Sequence, residues 1–172
     1  MLFNDLAFLF VFMPCTLAAV LLLAPRAWRP WTLIAASLMF YGAAGVGHAI
    51  VLVACVVWVH LLMNRLEAQR FRFPVLLLAI AGPLSALIHF KYLGFLINDV
   101  LMLGDELAEG SFDMFRNVVL PAGISFFTFQ LIGYAIDRYR GVIANGQRLR
   151  TLLLFVSFFP QLVAGPIVRF AQ

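Results

Sequence analysis

The chain has 172 residues, 64% of them hydrophobic and 12% charged, and its mean hydropathy is +1.00. Soluble globular domains carry charge on roughly a quarter of their residues, so a water-soluble core-and-surface arrangement is excluded. The net charge of +4 does not indicate nucleic acid, because the arginines lie in short clusters between apolar runs and form no basic face interleaved with exposed aromatics.

A hydrocarbon core of about 30 Å is crossed by about 20 helical residues. Candidate spans run at 6–24, 30–44, 48–63, 74–90, 118–136 and 151–168, the second marginal in length, with a shorter apolar stretch at 92–103. Residues Met1 to Asp5 lack the positive region of a signal peptide, so the first run reads as a retained span. Cys15 and Cys55 both fall inside candidate spans and read as small apolar groups, giving no disulfide framework or metal motif. Most of the 18 phenylalanines also fall in the apolar runs, as lipid-facing and packing side chains should.

Arginines in the connections set an orientation, since positive charge near span ends stays cytoplasmic. Arg26 and Arg29 follow the first span, the Gly42–Gly47 link is uncharged, and Arg65, Arg70 and Arg72 follow the third: inside, outside, inside. Asp105, Glu106, Glu109 and Asp113 outnumber Arg116, which places that loop outside, whereas Arg138, Arg140, Arg148 and Arg150 outnumber Asp137 and place theirs inside. Two apolar stretches then separate an inside loop from an outside one, so one of them does not cross. The expectation is that 74–90 spans and 92–103, with Asn98 and Asp99, is interfacial or re-entrant. The fold class is thus an all-α polytopic membrane protein, one transmembrane domain over 1–172, with about six transmembrane helices and one interfacial or re-entrant helix, its N-terminus periplasmic.

Polar groups concentrate in three stretches. On the helix that Pro121 opens, Gln130, Tyr134 and Asp137 share a face at i, i+4, i+7, with Gly133 beside them. Two readings fit: polar glue between close-packed helices, or a wall of a substrate path. Pro160 and Pro166 each remove a backbone donor from the last span, which predicts a break that Gln161 is placed to satisfy; a plain kink is the alternative. His89 and Lys91 mark the outer end of the fourth span, where a snorkelling lysine beside Tyr92 competes with a charge lining a cavity. His48 and His60 fall at interface depth, where a wet, non-catalytic role is expected. None of the three histidines has a carboxylate at i+3 or i+4, and no triad, phosphate loop or zinc spacing occurs.

In order, Phe90-Lys91-Tyr92 with Phe95, then Leu120 to Phe129 with Tyr134, Ile136, Asp137, Tyr139, Arg140 and Gly141, then Phe159 to Pro166 including Gly165, resemble the membrane-bound O-acyltransferase family, and within it the alginate O-acetylase type. The opening span with Phe12, Met13 and Pro14 is similar too. The resemblance implies transfer of an acetyl group from a cytoplasmic acyl thioester such as acetyl-CoA, with no bound cofactor or metal. The acceptor would be a hydroxyl of an exopolysaccharide such as alginate. It implies membrane lipids, periplasmic acetylation proteins and a polysaccharide acceptor as partners, and the bacterial inner membrane as location. It also implies that the family's catalytic histidine lies beyond Gln172, so the chain reads as an N-terminal portion, inactive alone. Lys91, Gln130, Tyr134, Asp137, Arg140, Pro160, Gln161, Gly165 and Pro166 are then candidates to line or support a passage between donor and acceptor faces. A transporter built on discontinuous helices, or a non-catalytic membrane bundle, are the rival readings.

Overall fold

The computed structural model describes residues 8–43, 45–65, 72–93, 123–144, 146–164 and 170. Among them every regular element is helical. A first helical run passes from Phe8–Phe12 through Met13–Ala18 (α1) to Ala19–Leu23, its two flanks wound as π-helix. It is followed by α2 (Arg29–Gly42), α3 (Val46–Arg65), α4 (Arg72–Leu87), α5 (Ile124–Tyr139), α6 (Leu149–Ser157) and α7 (Phe159–Ala164).

Among the described residues two helices have the length and apolarity to cross a membrane, Val46–Arg65 and Arg72–Tyr92. The second joins α4 to the π-helical turns Ile88–Leu93, so Lys91 does not break the fourth apolar run: the helix winds through it. The marginal second run is α2, a helix of 14 residues, well short of the usual 20. The acidic loop at 104–117, the stretch at 94–103, Pro121, Gly165 and Pro166 lie outside the described residues.

The helix α3 is the centre of the bundle, packing against α2, α4, α5 and α6. Its buried side chains Leu52, Cys55, Val56, Val59, His60 and Met63 fall at the three- and four-residue spacing of one helical stripe. Cross-contacts give the helix directions. Trp58, two-thirds along α3, donates its indole N–H to the Leu78 carbonyl just before the middle of α4 at 3.0 Å, and a connection of only six residues joins the two helices, so they are antiparallel. Arg138, at the end of α5, reaches the Met63 carbonyl near the end of α3 at 3.3 Å, so α3 and α5 run the same way. The end of α4 and the start of α5 therefore occupy the same end of the bundle, and the expected non-crossing stretch between them lies outside the described residues.

Close backbone approach occurs at Gly82, where an added Cβ would fall 2.5 Å from the Trp58 ring. It does not occur at Gly133, around which a Cβ would meet nothing within 4 Å among the described residues. The glycine that sequence spacing nominates for helix contact faces open space because the buried arc of α5 lies on its other side.

Candidate functional site

The fifth helix buries Ile124, Phe127, Thr128, Gln130, Leu131, Tyr134, Ala135 and Arg138. At about 100° per residue these positions fill one arc, with Gln130 at its edge and Asp137 roughly 20° beyond that edge. That explains why Gln130 (3% exposed) and Tyr134 (1% exposed) are buried while Asp137 is half-buried. Of the three polar residues at i, i+4, i+7, the first two are brought together in the protein interior and the third lies at its margin.

Among the described residues neither end of the Gln130 amide has a hydrogen-bond partner, nor does the Tyr134 hydroxyl. The Tyr134 ring itself is packed, edge-on against Phe170 at 5.0 Å between centroids, and Phe170 in turn meets Phe155 on α6 at 5.1 Å. A buried amide or hydroxyl without a partner costs about 1–3 kcal/mol, so two such groups one turn apart form a concentrated demand for hydrogen bonds.

The next residue on this face, Arg138, was not among the passage candidates, because its neighbours in sequence mark it as one of several loop arginines. It is 2% exposed. One guanidinium nitrogen donates to the Ala144 carbonyl at 2.6 Å and the other to the Met63 carbonyl at 3.3 Å. It ties the loop after α5 to the last turn of α3, whose carbonyls have no intrahelical donors. The signal that could have found it is its i+4 spacing from Tyr134. Arg140, which the resemblance nominates, is exposed.

His60 is 9% exposed rather than wet, and it accepts a hydrogen bond from Asn64 Nδ2 at 2.9 Å. It points into the bundle because it shares the stripe of Val56, Val59 and Met63. Lys91 stands apart from the α5 groups, exposed, with its ammonium 5.5 Å from the centre of the Tyr92 ring.

The break in the last apolar run is present ahead of Pro160. The helix α6 ends at Ser157, Phe158 leaves helical geometry with ψ 105°, and α7 begins at Phe159 with Pro160 in its first turn, where a missing N–H costs nothing. The group that answers the break is not Gln161, whose side-chain nitrogen is buried and has no partner among the described residues. Instead Ser37 on α2, fully buried, offers its hydroxyl oxygen to the Phe159 N–H at 3.4 Å. Ser37 sits over 100 residues away in sequence, so only tertiary packing brings it there. Around the break, Phe12, Phe40 and Phe159 stack at 5.5–5.8 Å between ring centres. Among the described residues no group of three or more His, Cys, Asp or Glu side chains is placed to hold a metal.

The probable alginate O-acetylase AlgI of Pseudomonas syringae pv. tomato is 33% identical over 174 residues, covering 99% of this chain and 33% of that protein. Its counterpart from Pseudomonas aeruginosa is 32% identical over 174 residues, covering 99% of this chain and 33% of the relative. This chain is homologous to O-acetylases. A peptidoglycan O-acetyltransferase of Helicobacter pylori is also similar to it, 29% identical over 204 residues, covering the whole chain and 38% of the relative. The chain spans about a third of the length of these O-acetylase relatives. No family model and no solved structure matches it.

Proposed function

We propose that this chain is part of a membrane-bound O-acyltransferase, of the kind that acetylates polysaccharide, and that the buried face of α5 supports the passage along which the transfer takes place. The reaction moves an acyl carbon from a thioester sulfur to a hydroxyl oxygen, releasing the thiol and forming an ester. Donor and acceptor approach from opposite faces of the membrane. The donor is read as a cytoplasmic acyl thioester such as acetyl-CoA. The acceptor is read as a hydroxyl of alginate, a related exopolysaccharide or peptidoglycan, with periplasmic acetylation proteins as partners. In this reading the protein is a single multi-pass domain of the bacterial inner membrane with its N-terminus periplasmic. Its catalytic histidine belongs to the part of the relatives that this chain does not cover, and the chain alone does not transfer acyl groups.

The observation that carries the reading is the unanswered pair on α5. Gln130 and Tyr134 are buried with three polar groups unbonded between them. Intramembrane polar groups of this kind face a bundle interior or a wet cavity, and a helix break is tolerated at membrane depth only where protein or water surrounds it. The break at Phe158 and the pair on α5 belong to neighbouring, packed helices. They supply hydrogen-bonding capacity in a region otherwise built of Leu131, Ala135, Leu152 and Val156.

The test uses the complete protein in cells, with ester-linked acetate on the polysaccharide as the readout. Tyr134→Phe keeps the ring against Phe170 and removes only the hydroxyl, and Gln130→Leu removes the amide at similar volume. Each is expected to lower acetylation about tenfold, the equivalent of one lost hydrogen bond of roughly 1.4 kcal/mol in the transition state, with membrane protein levels unchanged. Full acetylation by Gln130→Leu combined with Asp137→Asn would remove the passage role.

A further inference from the structure

The outer surface of α3 carries a groove unrelated to the α5 face. Trp58, Leu61, Leu62 and Arg65 line it, at i, i+3, i+4 and i+7 along one stripe of the helix, and it encloses about 190 Å³. Its lining is apolar up to Arg65, which is exposed in the last turn. One wall is rigid: the Trp58 indole is pinned to α4 by its bond to the Leu78 carbonyl and lies flat in the space that Gly82 leaves free. Leu61 is 56% exposed and Trp58 42% exposed, so the groove opens outward from the bundle.

The groove also lies at the basic end of the molecule. The C-terminal end of α3, the start of α4, the end of α5 and the start of α6 come together there, and they bring Arg65, Arg72, Arg140 and Arg148, all exposed. Among the described residues the only acidic side chain is Asp137. An apolar channel running along a membrane-crossing helix and ending, among the described residues, in exposed guanidinium groups is complementary to one kind of molecule: a lipid whose acyl chain lies against Trp58 and Leu61 and whose phosphate meets Arg65. Arginine engages phosphate through paired N–H donors, and each basic residue near a membrane surface favours anionic over neutral lipid by about 1 kcal/mol.

We propose that this groove is a binding site for an anionic phospholipid of the cytoplasmic leaflet, held by its acyl chain on Trp58, Leu61 and Leu62 and by its headgroup phosphate on Arg65. The site goes beyond the acyl-transfer reading and rests on α3 crossing the membrane with its basic end cytoplasmic, so it is tested without any activity measurement. The protein is extracted from membranes in mild detergent and titrated with phosphatidylglycerol or with phosphatidylethanolamine of the same chains, bound lipid being counted by native mass spectrometry. Phosphatidylglycerol should be retained about fivefold over phosphatidylethanolamine. R65Q should reduce it to the phosphatidylethanolamine level, whereas R148Q, on a different connection, should leave it unchanged. L61W fills the groove and should displace both lipids, which keeps the test independent of any loss of folding in R65Q. Equal retention of the two lipids, or wild-type retention by R65Q, overturns the headgroup contact. Unchanged binding by L61W overturns the site itself, as it would if another part of the protein covered the groove.

Discussion

Arg138 shows what burial does to a residue that looks ordinary in sequence. Its guanidinium donates to two carbonyls, one on the last turn of α3 and one in the loop after α5, the second shared with the Gln147 side chain at 3.3 Å. Truncating this charged donor takes the bond from the buried Met63 carbonyl and costs about 1–3 kcal/mol. Arg138→Ala should therefore lower the melting temperature in detergent by several degrees, while Arg140→Gln, on an exposed side chain two residues later, should leave it within about 0.5 kcal/mol. Wild-type stability in Arg138→Ala would mean that the two contacts are incidental. The pair Gln130 and Tyr134 was legible in the sequence from spacing alone, and Arg138 was not, because a cluster of arginines at a span end reads as a topology signal before it reads as a bond.

Among the elements, the last apolar run makes the plainest case. Pro160 made a break readable, since a proline ring cannot sit inside a helix without losing a bond and crowding the preceding turn. Where the Phe159 N–H, left open by the break ahead of the proline, finds its acceptor depends on which helix packs opposite, and that is α2 with Ser37. Ser37→Ala removes that acceptor and should cost about 1–2 kcal/mol, read as a lower melting temperature, whereas Thr32→Ala, on the exposed side of α2, should cost less. The end of α5 follows a rule the sequence carries openly. Gly141, at φ 76°, donates to the Arg138 carbonyl at 3.1 Å, and the Val142 N–H returns to the Asp137 carbonyl at 2.9 Å, a Schellman closure that wants glycine at the left-handed position.

At the scale of the whole molecule, the arrangement of helix ends separates charge. Arg26, Arg29, Arg65, Arg72, Arg138, Arg140, Arg148 and Arg150 all belong to helix ends or connections on one side of the bundle, and Lys91 to the other. Trp28 and Trp31, both exposed, lie beside the first of these arginines, where an indole suits the membrane interface. Cysteines introduced singly at Arg72 and Arg148, with Cys15 and Cys55 replaced by serine, should react with an impermeant maleimide only after the cytoplasmic face is opened, and one at Gly45 should react in intact spheroplasts. Labelling of positions 72 and 148 from opposite faces would break the parallel arrangement of α3 and α5 as well as the orientation.

The sequence by itself determined that the chain is helical and apolar enough for a bilayer, which end of each helix is basic, where the last run breaks and which residues put polar groups on α5. Those properties follow from local rules: the span length of a helix, the missing N–H of proline, and the 3.6-residue turn that aligns positions 130 and 134. Tertiary structure alone decided that Asp137 falls at the margin, that Arg138 and His60 are interior, that Ser37 closes the break and that Gly82, not Gly133, is the point of close approach. Each of these depends on which face of a helix meets a neighbour distant in the chain, and nothing in the local pattern of residues encodes that choice until the helices have packed.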